Sequence, residues 1–250
     1  MDNNHKNKTI YFASDFHLGV PSFEDSLSRE RKLVSWLSMA SKDATEIFLL
    51  GDLFDFWFEY KYTVPKGYTR FLGKIAEIVD AGIPIYVFTG NHDMWMFDYL
   101  EEEIGVSIIR KPTDFTFNNK TFHIAHGDGL GPGDHSYKLI KKIFSNNFCQ
   151  WLFARIHPNL SFKIANYWSR KSREKESQPP KFLGDKEWLV QYSKEILKEK
   201  HYDFFIFGHR HLPIEYQLSE SSKYINLGDW ISFNTYAKIE GENLFLKTFN

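Results

Sequence analysis

The chain has a single cysteine, Cys149, so no disulfide can form within it, and this fits a reducing compartment. It has no excess of either charge: 31 Lys and Arg face 32 Asp and Glu, a net of −1. Total charge therefore supplies no electrostatic footprint for nucleic acid. No stretch approaches the roughly 20 apolar residues that a membrane-spanning helix needs. The opening residues, Met1 to Lys8, are polar and lack the apolar core of a secretory signal. Internal repeats and low-complexity tracts are also missing. These absences predict a soluble, cytosolic chain and leave attachment to a membrane surface open. A length of 250 residues suits one large domain with a sizeable core. What the chain has in plenty is aromatic residues, 24 Phe, 13 Tyr and 7 Trp, most of which should be core.

Short apolar runs at 9–14, 47–50, 85–89, 121–125 and 204–207 are rich in β-branched and aromatic residues and read as buried strands. Between the early ones, Leu33, Trp36, Leu37 and Ala40 share one helical face, as do Phe71, Ile75, Ile78 and Val79. Residues 113–117 and 121–125 flank Asn118-Asn119-Lys120 and read as a hairpin, because asparagine tolerates positive φ. Further strands are expected at 214–217, 224–227, 235–240 and 244–249. Strands alternating with helices predict an α/β sandwich of two mixed sheets with helices outside.

Residues 134–181 break this rhythm. Ile140, Ile143, Phe144, Phe148, Trp151 and Leu152 keep helical spacing, and ten basic residues stand against three acidic ones, a net of +7 in a nearly neutral chain. The segment reads as an inserted basic, aromatic helical subdomain within a single domain spanning 1–250.

Five motifs follow the predicted strands in order: Asp15-Phe16-His17, Gly51-Asp52-Leu53-Phe54-Asp55, Gly90-Asn91-His92-Asp93, His126-Gly127-Asp128 and Gly208-His209-Arg210-His211. Strand ends are where open α/β folds place their sites. All the donors are oxygen or imidazole, which suits Mn, Fe, Zn or Mg and not a thiolate-bound ion. Asp-x-His and His-x-His place two side chains on one side of an extended backbone. Gly51 permits close backbone approach, so the Asp52 carboxylate can sit between two cations. Such a pair serves phosphoryl hydrolysis.

This ordered series resembles that of the calcineurin-like metallophosphoesterases over nearly the whole chain. The resemblance implies a four-layer αββα sandwich and two divalent ions, Mn above all, with Fe, Zn or Mg as alternatives. One ion would take Asp15, His17, Asp52 and His211; the other would take Asp52, Asn91, His126 and His209. His92 would be the catalytic histidine and Asp93 the carboxylate that orients it, with Asp55 and Asp128 as supporting groups.

Within that superfamily the chain is most similar to the UDP-2,3-diacylglucosamine diphosphatases of bacterial lipid A synthesis. The shared layout is His126-Gly127-Asp128-Gly129-Leu130, then Asp134 and Tyr137, then the basic insert with Ser172-Arg173-Glu174, then His209-x-His211 with Pro213, and Leu227-Gly228-Asp229-Trp230. This implies a pyrophosphate hydrolase that cleaves UDP-2,3-diacylglucosamine to the acylated sugar 1-phosphate (lipid X) and UMP. The insert would be a lid over the acyl chains, with Asp134, Arg170, Lys171, Ser172 and Arg173 contacting substrate. The expected setting is the cytoplasmic face of the inner membrane, with a lipid-linked nucleotide as partner and no nucleic acid or obligate protein partner. An amphipathic basic insert independently suits an anionic membrane surface. The chain departs from the enterobacterial pattern at His92, where those enzymes carry arginine, and at Ser169, in the place of a lid arginine. The alternatives are a dinuclear phosphodiesterase or nucleotide pyrophosphatase on a soluble substrate, and a non-catalytic scaffold that keeps the fold.

Overall fold

The computed structural model describes residues 7–133, 135–175 and 181–250; the side chains of residues 136, 166, 170 and 172–175 are also outside the description. The first half of the chain builds β1 (Ile10–Ala13), α1 (Phe23–Ala40), β2 (Glu46–Leu49), α2 (Thr69–Asp80), β3 (Ile85–Phe88), α3 (Tyr99–Glu102) and β4 (Ser107–Ile109). Then come β5 (Thr113–Phe117), β6 (Lys120–Ile124), α4 (His135–Phe144), α5 (Asn147–Phe153), α6 (Pro158–Lys175) and α7 (Trp188–Leu197). The chain closes with β7 (Phe204–Phe207), β8 (Pro213–Ser219), β9 (Ser222–Leu227), β10 (Thr235–Glu240) and β11 (Asn243–Thr248).

One sheet has the order β11-β10-β1-β2-β3-β4 and the other β5-β6-β7-β9-β8. Both are mixed. β1 to β4 run parallel with β10 antiparallel to β1, and β6, β7 and β9 run parallel with antiparallel partners at both edges. The pleat of β1 shows how the layers arise. Tyr11 and Ala13 pack outward with Leu33, Trp36 and Leu37 of α1, while Ile10 and Phe12 pack inward with Phe122, Ile124, Ile206 and Ile225 of the second sheet. On the far side, Phe205, Phe207 and Tyr224 meet Leu189 and Val190 of α7. The result is a four-layer αββα sandwich, as expected.

Local chemistry sets the elements. Ser22 caps α1 by accepting from the Asp25 N–H, with Glu24 and Asp25 in the first turn complementing the helix dipole. The β5–β6 turn has Asn118 at φ 47° and Asn119 at φ 62°, the left-handed pair that a tight hairpin needs. Strand boundaries fall within a residue or two of the predicted ones, apart from longer β8 and β9, whereas β4 and α3 were not foreseen.

Among the described residues between β6 and α7, three helices, α4 to α6, pack back onto the sandwich. Trp95 Nε1 donates to the Phe144 carbonyl at 2.8 Å, and the Phe153 ring packs at a tilt against Phe58 and Trp95, with ring centroids at 4.9 and 4.7 Å. Polar ties join the same helices to the strand-end loops. Ser169 Oγ donates to Asp55 Oδ2 at 2.7 Å, and Tyr137 and Lys141 donate to Asp128 Oδ2 at 2.5 and 2.6 Å. The helical insert thus sits over the carboxyl ends of the strands.

Candidate metal centre

Because β1, β2 and β3 are parallel, as are β6 and β7, their carboxyl ends bring the five motifs to one edge of the sandwich. The way each pair is presented differs from the expected extended backbone. Asp15, His17, Asp52, His209 and His211 all adopt left-handed φ between 43° and 67° just past their strands. Each such non-glycine residue costs on the order of 1–3 kcal/mol, strain that surrounding structure must hold in place. The holding bonds are visible. Asp15 N–H donates to the Gly51 carbonyl, His17 N–H to the Asp52 carbonyl, and the His209 N–H reaches Asp15 Oδ2 at 3.0 Å. At Gly51 a side chain would meet Gly90 N at 2.7 Å and His126 Nδ1 at 2.8 Å, so the two motif loops can approach only across glycine.

Two groups of donors share one carboxylate. Asp15, His17, Asp52 and His211 form the first, and Asp52, His126 and His209 the second. Asn91 joins the second group, its Oδ1 lying 3.3 Å from His126 Nε2. In the first group, His17 Nε2 and His211 Nε2 face each other at 3.1 Å, with Asp15 Oδ1 3.3 Å from His211 Nε2. Asp52 Oδ2 is buried without a hydrogen-bond donor, 3.3 Å from His126 Nε2 and 3.7 Å from His17 Nε2. A buried carboxylate oxygen ringed by imidazole nitrogens fits a position shared by two cations.

In three of the imidazoles the Nδ1 side faces an oxygen, which orients the ring and leaves Nε2 to converge. His126 Nδ1 meets the Leu50 carbonyl at 2.6 Å, His211 Nδ1 lies 3.4 Å from Asp229 Oδ2, and His17 Nδ1 lies 3.5 Å from Asp55 Oδ1. Charge in the cluster is strongly coupled. Burial alone would lower His126, but Asp52, Asp15 and Asp128 raise it to about 10. Burial likewise opposes His211, which Asp15 and Asp229 raise to about 9. Burial would raise Asp52, yet the imidazoles of His126, His92 and His17 hold its carboxyl well below the usual range. His209 is pushed down to about 3 by burial and by His126. Carboxylates packed this densely demand positive charge, and the donor set suits a pair of hard or borderline divalent ions.

His92 stands beside the first group, its ring 4.8 Å from that of His17. Its Nδ1 is held by the Asp55 carbonyl at 2.9 Å and its backbone N–H donates to Asp52 Oδ1 at 2.9 Å. Asp93, expected behind His92, lies elsewhere. Its carboxylate accepts from the N–H groups of Gly90 at 2.8 Å and Leu53 at 2.7 Å, with Asp52 and Phe54 further off. It thereby braces the loop that carries Asp52, and Asp55 takes the orienting part. Asp229 behind His211 was also missed, although Gly228-Asp229 after a strand was a signal of the same kind as Gly51-Asp52.

Of the predicted substrate contacts, Asp134 lies outside the described residues, as do the side chains of Arg170, Ser172 and Arg173, whose backbone belongs to α6. Lys171 is exposed, with its ammonium 5.8 Å from the Tyr167 ring centroid. Ser169 is buried against Asp55.

Known proteins resemble this chain in sequence. A protein named UDP-2,3-diacylglucosamine hydrolase from Porphyromonas gingivalis is 39% identical over 96% of this chain and 97% of its own. Proteins of the same name from Actinobacillus succinogenes and Shewanella sp. (strain W3-18-1) are 26% and 24% identical, over 88% and 95% of this chain and 91% and 95% of theirs. The family model described as Calcineurin-like phosphoesterase matches residues 8–213, a span that runs from β1 through His211 and so takes in all five strand-end motifs. With its donors gathered at the strand ends of two packed mixed sheets, this chain belongs to the calcineurin-like phosphoesterase family.

Proposed function

We propose that this protein hydrolyses the diphosphate of UDP-2,3-diacylglucosamine, giving UMP and the diacylated glucosamine 1-phosphate. One observation carries the reading beyond phosphoester hydrolysis in general. A cavity of about 390 Å³ opens onto Asn91 and His92 and is walled by Phe56, Trp95, Phe144, Phe153, Ile164 and Trp168. A soluble phosphodiester gains nothing from such a wall, whereas acyl chains next to a scissile phosphate do. The P. gingivalis relative of that name matches 96% of this chain at 39% identity, which supports the reading.

Asp15, His17, Asp52 and His211 would hold one ion, and Asp52, Asn91, His126 and His209 the other, with Mn the favoured metal. When bound, the pair supplies charge neutralisation for the phosphoryl oxygens and a water acidic enough to attack phosphorus at neutral pH. The chain's own part is positional and electrostatic. His92 Nδ1–H donates to the Asp55 carbonyl, so Nε2 faces the cavity and, in the imidazolium form, can donate to a phosphoryl oxygen or to the departing oxygen as charge builds there. Asp93 fixes the Asp52 loop, and Asp128 anchors α4 beside the second group. Lys171 and the residues numbered 134, 170, 172 and 173 are the proposed sugar and diphosphate contacts on the insert.

The insert also suits an anionic membrane face. Phe148, Trp151, Leu152 and Leu139 are exposed on α4 and α5, with Arg155 4.5 Å over the Trp151 ring. Among the described residues no helix is long and apolar enough to cross a membrane, so contact would be peripheral. The decisive assay incubates the Mn-loaded protein with UDP-2,3-diacylglucosamine. Release of UMP and lipid monophosphate is expected; an intact lipid nucleotide alongside brisk hydrolysis of simple diesters would overturn the substrate.

A further inference from the structure

Two clefts meet at Asp55 and Phe56, and they differ in kind. The first is the apolar cavity that opens on His92. The second, about 630 Å³, lies between the start of α6 and the loop 63–68, and borders the centre through Asp55, whose Oδ1 lies 3.5 Å from His17 Nδ1. That volume is within the range of small-molecule sites, roughly 300–1,000 Å³. Its mouth carries Lys66 from the body and Lys163 from α6, both exposed, and neither forms an ion pair among the described residues. Asn159 adds an amide, while Phe56, Phe162 and Tyr68 supply flat apolar faces, the first two packed edge to face at 5.1 Å.

We propose that this second cleft is the subsite for the nucleoside arm of the substrate; the assignment rests on the diphosphate reading above. A diphosphate cut between its two phosphorus atoms must send one arm out on each side of the metal centre. The acyl arm is satisfied by hydrocarbon alone. The nucleoside arm is a flat ring with carbonyl and amide edges, a ribose bearing hydroxyls, and an anionic phosphate. Placed in the apolar cavity, it would bury those polar groups without partners. In the second cleft, aromatic faces can stack on the base. Lys66 and Lys163 can donate to its carbonyl and hydroxyl oxygens and balance the phosphate, and Asn159 can both donate and accept. Hydrocarbon in the same place would crowd two uncompensated ammonium groups. The two clefts would therefore divide one substrate between an acyl arm beside His92 and a nucleoside arm beyond Asp55.

Calorimetry with UMP as the probe tests this on the full-length Mn-loaded protein, free of any need for turnover. The Lys66→Ala/Lys163→Ala variant should bind UMP about tenfold or more weakly, the size of one charge-assisted hydrogen bond. Its affinity for the diacylated glucosamine 1-phosphate should change less than about threefold, and Lys66→Arg/Lys163→Arg should recover most of the UMP binding. Thermal unfolding of the variants checks that these exposed positions leave the fold intact. Equal UMP affinity in wild type and the Ala variant removes the subsite, as does a loss confined to the lipid product, which would place an acyl chain there. Wild-type protein that leaves UDP-2,3-diacylglucosamine intact removes the parent reading instead, so the two failures are told apart.

Discussion

Replacing His92 with alanine separates the chemistry from the scaffold that carries it. The ring is partly exposed to the cavity, and its Nδ1 is spoken for by the Asp55 carbonyl at 2.9 Å, so only Nε2 can serve the substrate. The backbone N–H of residue 92, which donates to Asp52 Oδ1, survives in the variant. The His92 side chain clusters only with His17 and Asp55 and belongs to neither donor group that shares Asp52, so metal content should stay at the wild-type level. Loss of a positioned proton donor or electrostatic stabiliser costs about 10²–10⁴ in kcat, or about 3–5 kcal/mol of barrier. The assay is steady-state cleavage of UDP-2,3-diacylglucosamine with metal quantified in the same samples. A second substrate with a p-nitrophenolate leaving group sharpens it. If His92 protonates the departing oxygen, the deficit should shrink on that substrate, because a good leaving group needs no proton. An unchanged kcat, or a fall matched by lost metal, would refute the placement of His92 in the reaction.

Other perturbations probe the supports. Asp93→Asn turns an amide toward backbone N–H groups that its carboxylate now accepts, so urea unfolding should show a loss of about 1–3 kcal/mol. Metal affinity should fall about 10–100-fold with it, since the Asp52 loop loses its brace. Phe144→Asp puts a carboxylate in the wall of the apolar cavity and should raise KM for the diacylated substrate far more than for a short diester. Away from the centre, burial works to raise Asp114, but hydrogen bonds from Lys200, Tyr202 and His123 hold its carboxyl down to about 2. A depressed carboxyl stabilises the fold above its ordinary range, and that contribution disappears as pH falls through the folded value. The stability gap between wild type and Asp114→Asn should be constant near neutrality and close between about pH 4 and pH 2 in denaturant titrations.

The centre was legible because its donors lie in chain-local motifs behind short apolar strands, and the two-sheet architecture was legible because those short buried runs alternate with amphipathic helical stretches. What escaped was set by tertiary geometry. Asp93 is next to His92 in sequence but turns into the Asp52 loop, and the group behind His92 is the Asp55 backbone carbonyl, which no side-chain pattern can announce. The alternation in Asp15-Phe16-His17 resembles an extended strand, yet both outer residues are left-handed, a strain imposed by bonds to Gly51 and Asp52 rather than by local preference. β4 went unread because three half-exposed residues at a sheet edge carry no periodicity. The apolar cavity needed the insert's helical register against Phe56 and Trp95, contacts about 50 to 110 positions apart.

The proposed hydrolysis turns on a pair of cations about Asp52. Anomalous diffraction at the manganese edge, from crystals grown with Mn, tests it directly. Two peaks are predicted on either side of Asp52 Oδ2, about 3.5–4 Å apart, one facing His17 and His211 and the other His126 and His209. No peak there, or a single one bound away from Asp52, would contradict it.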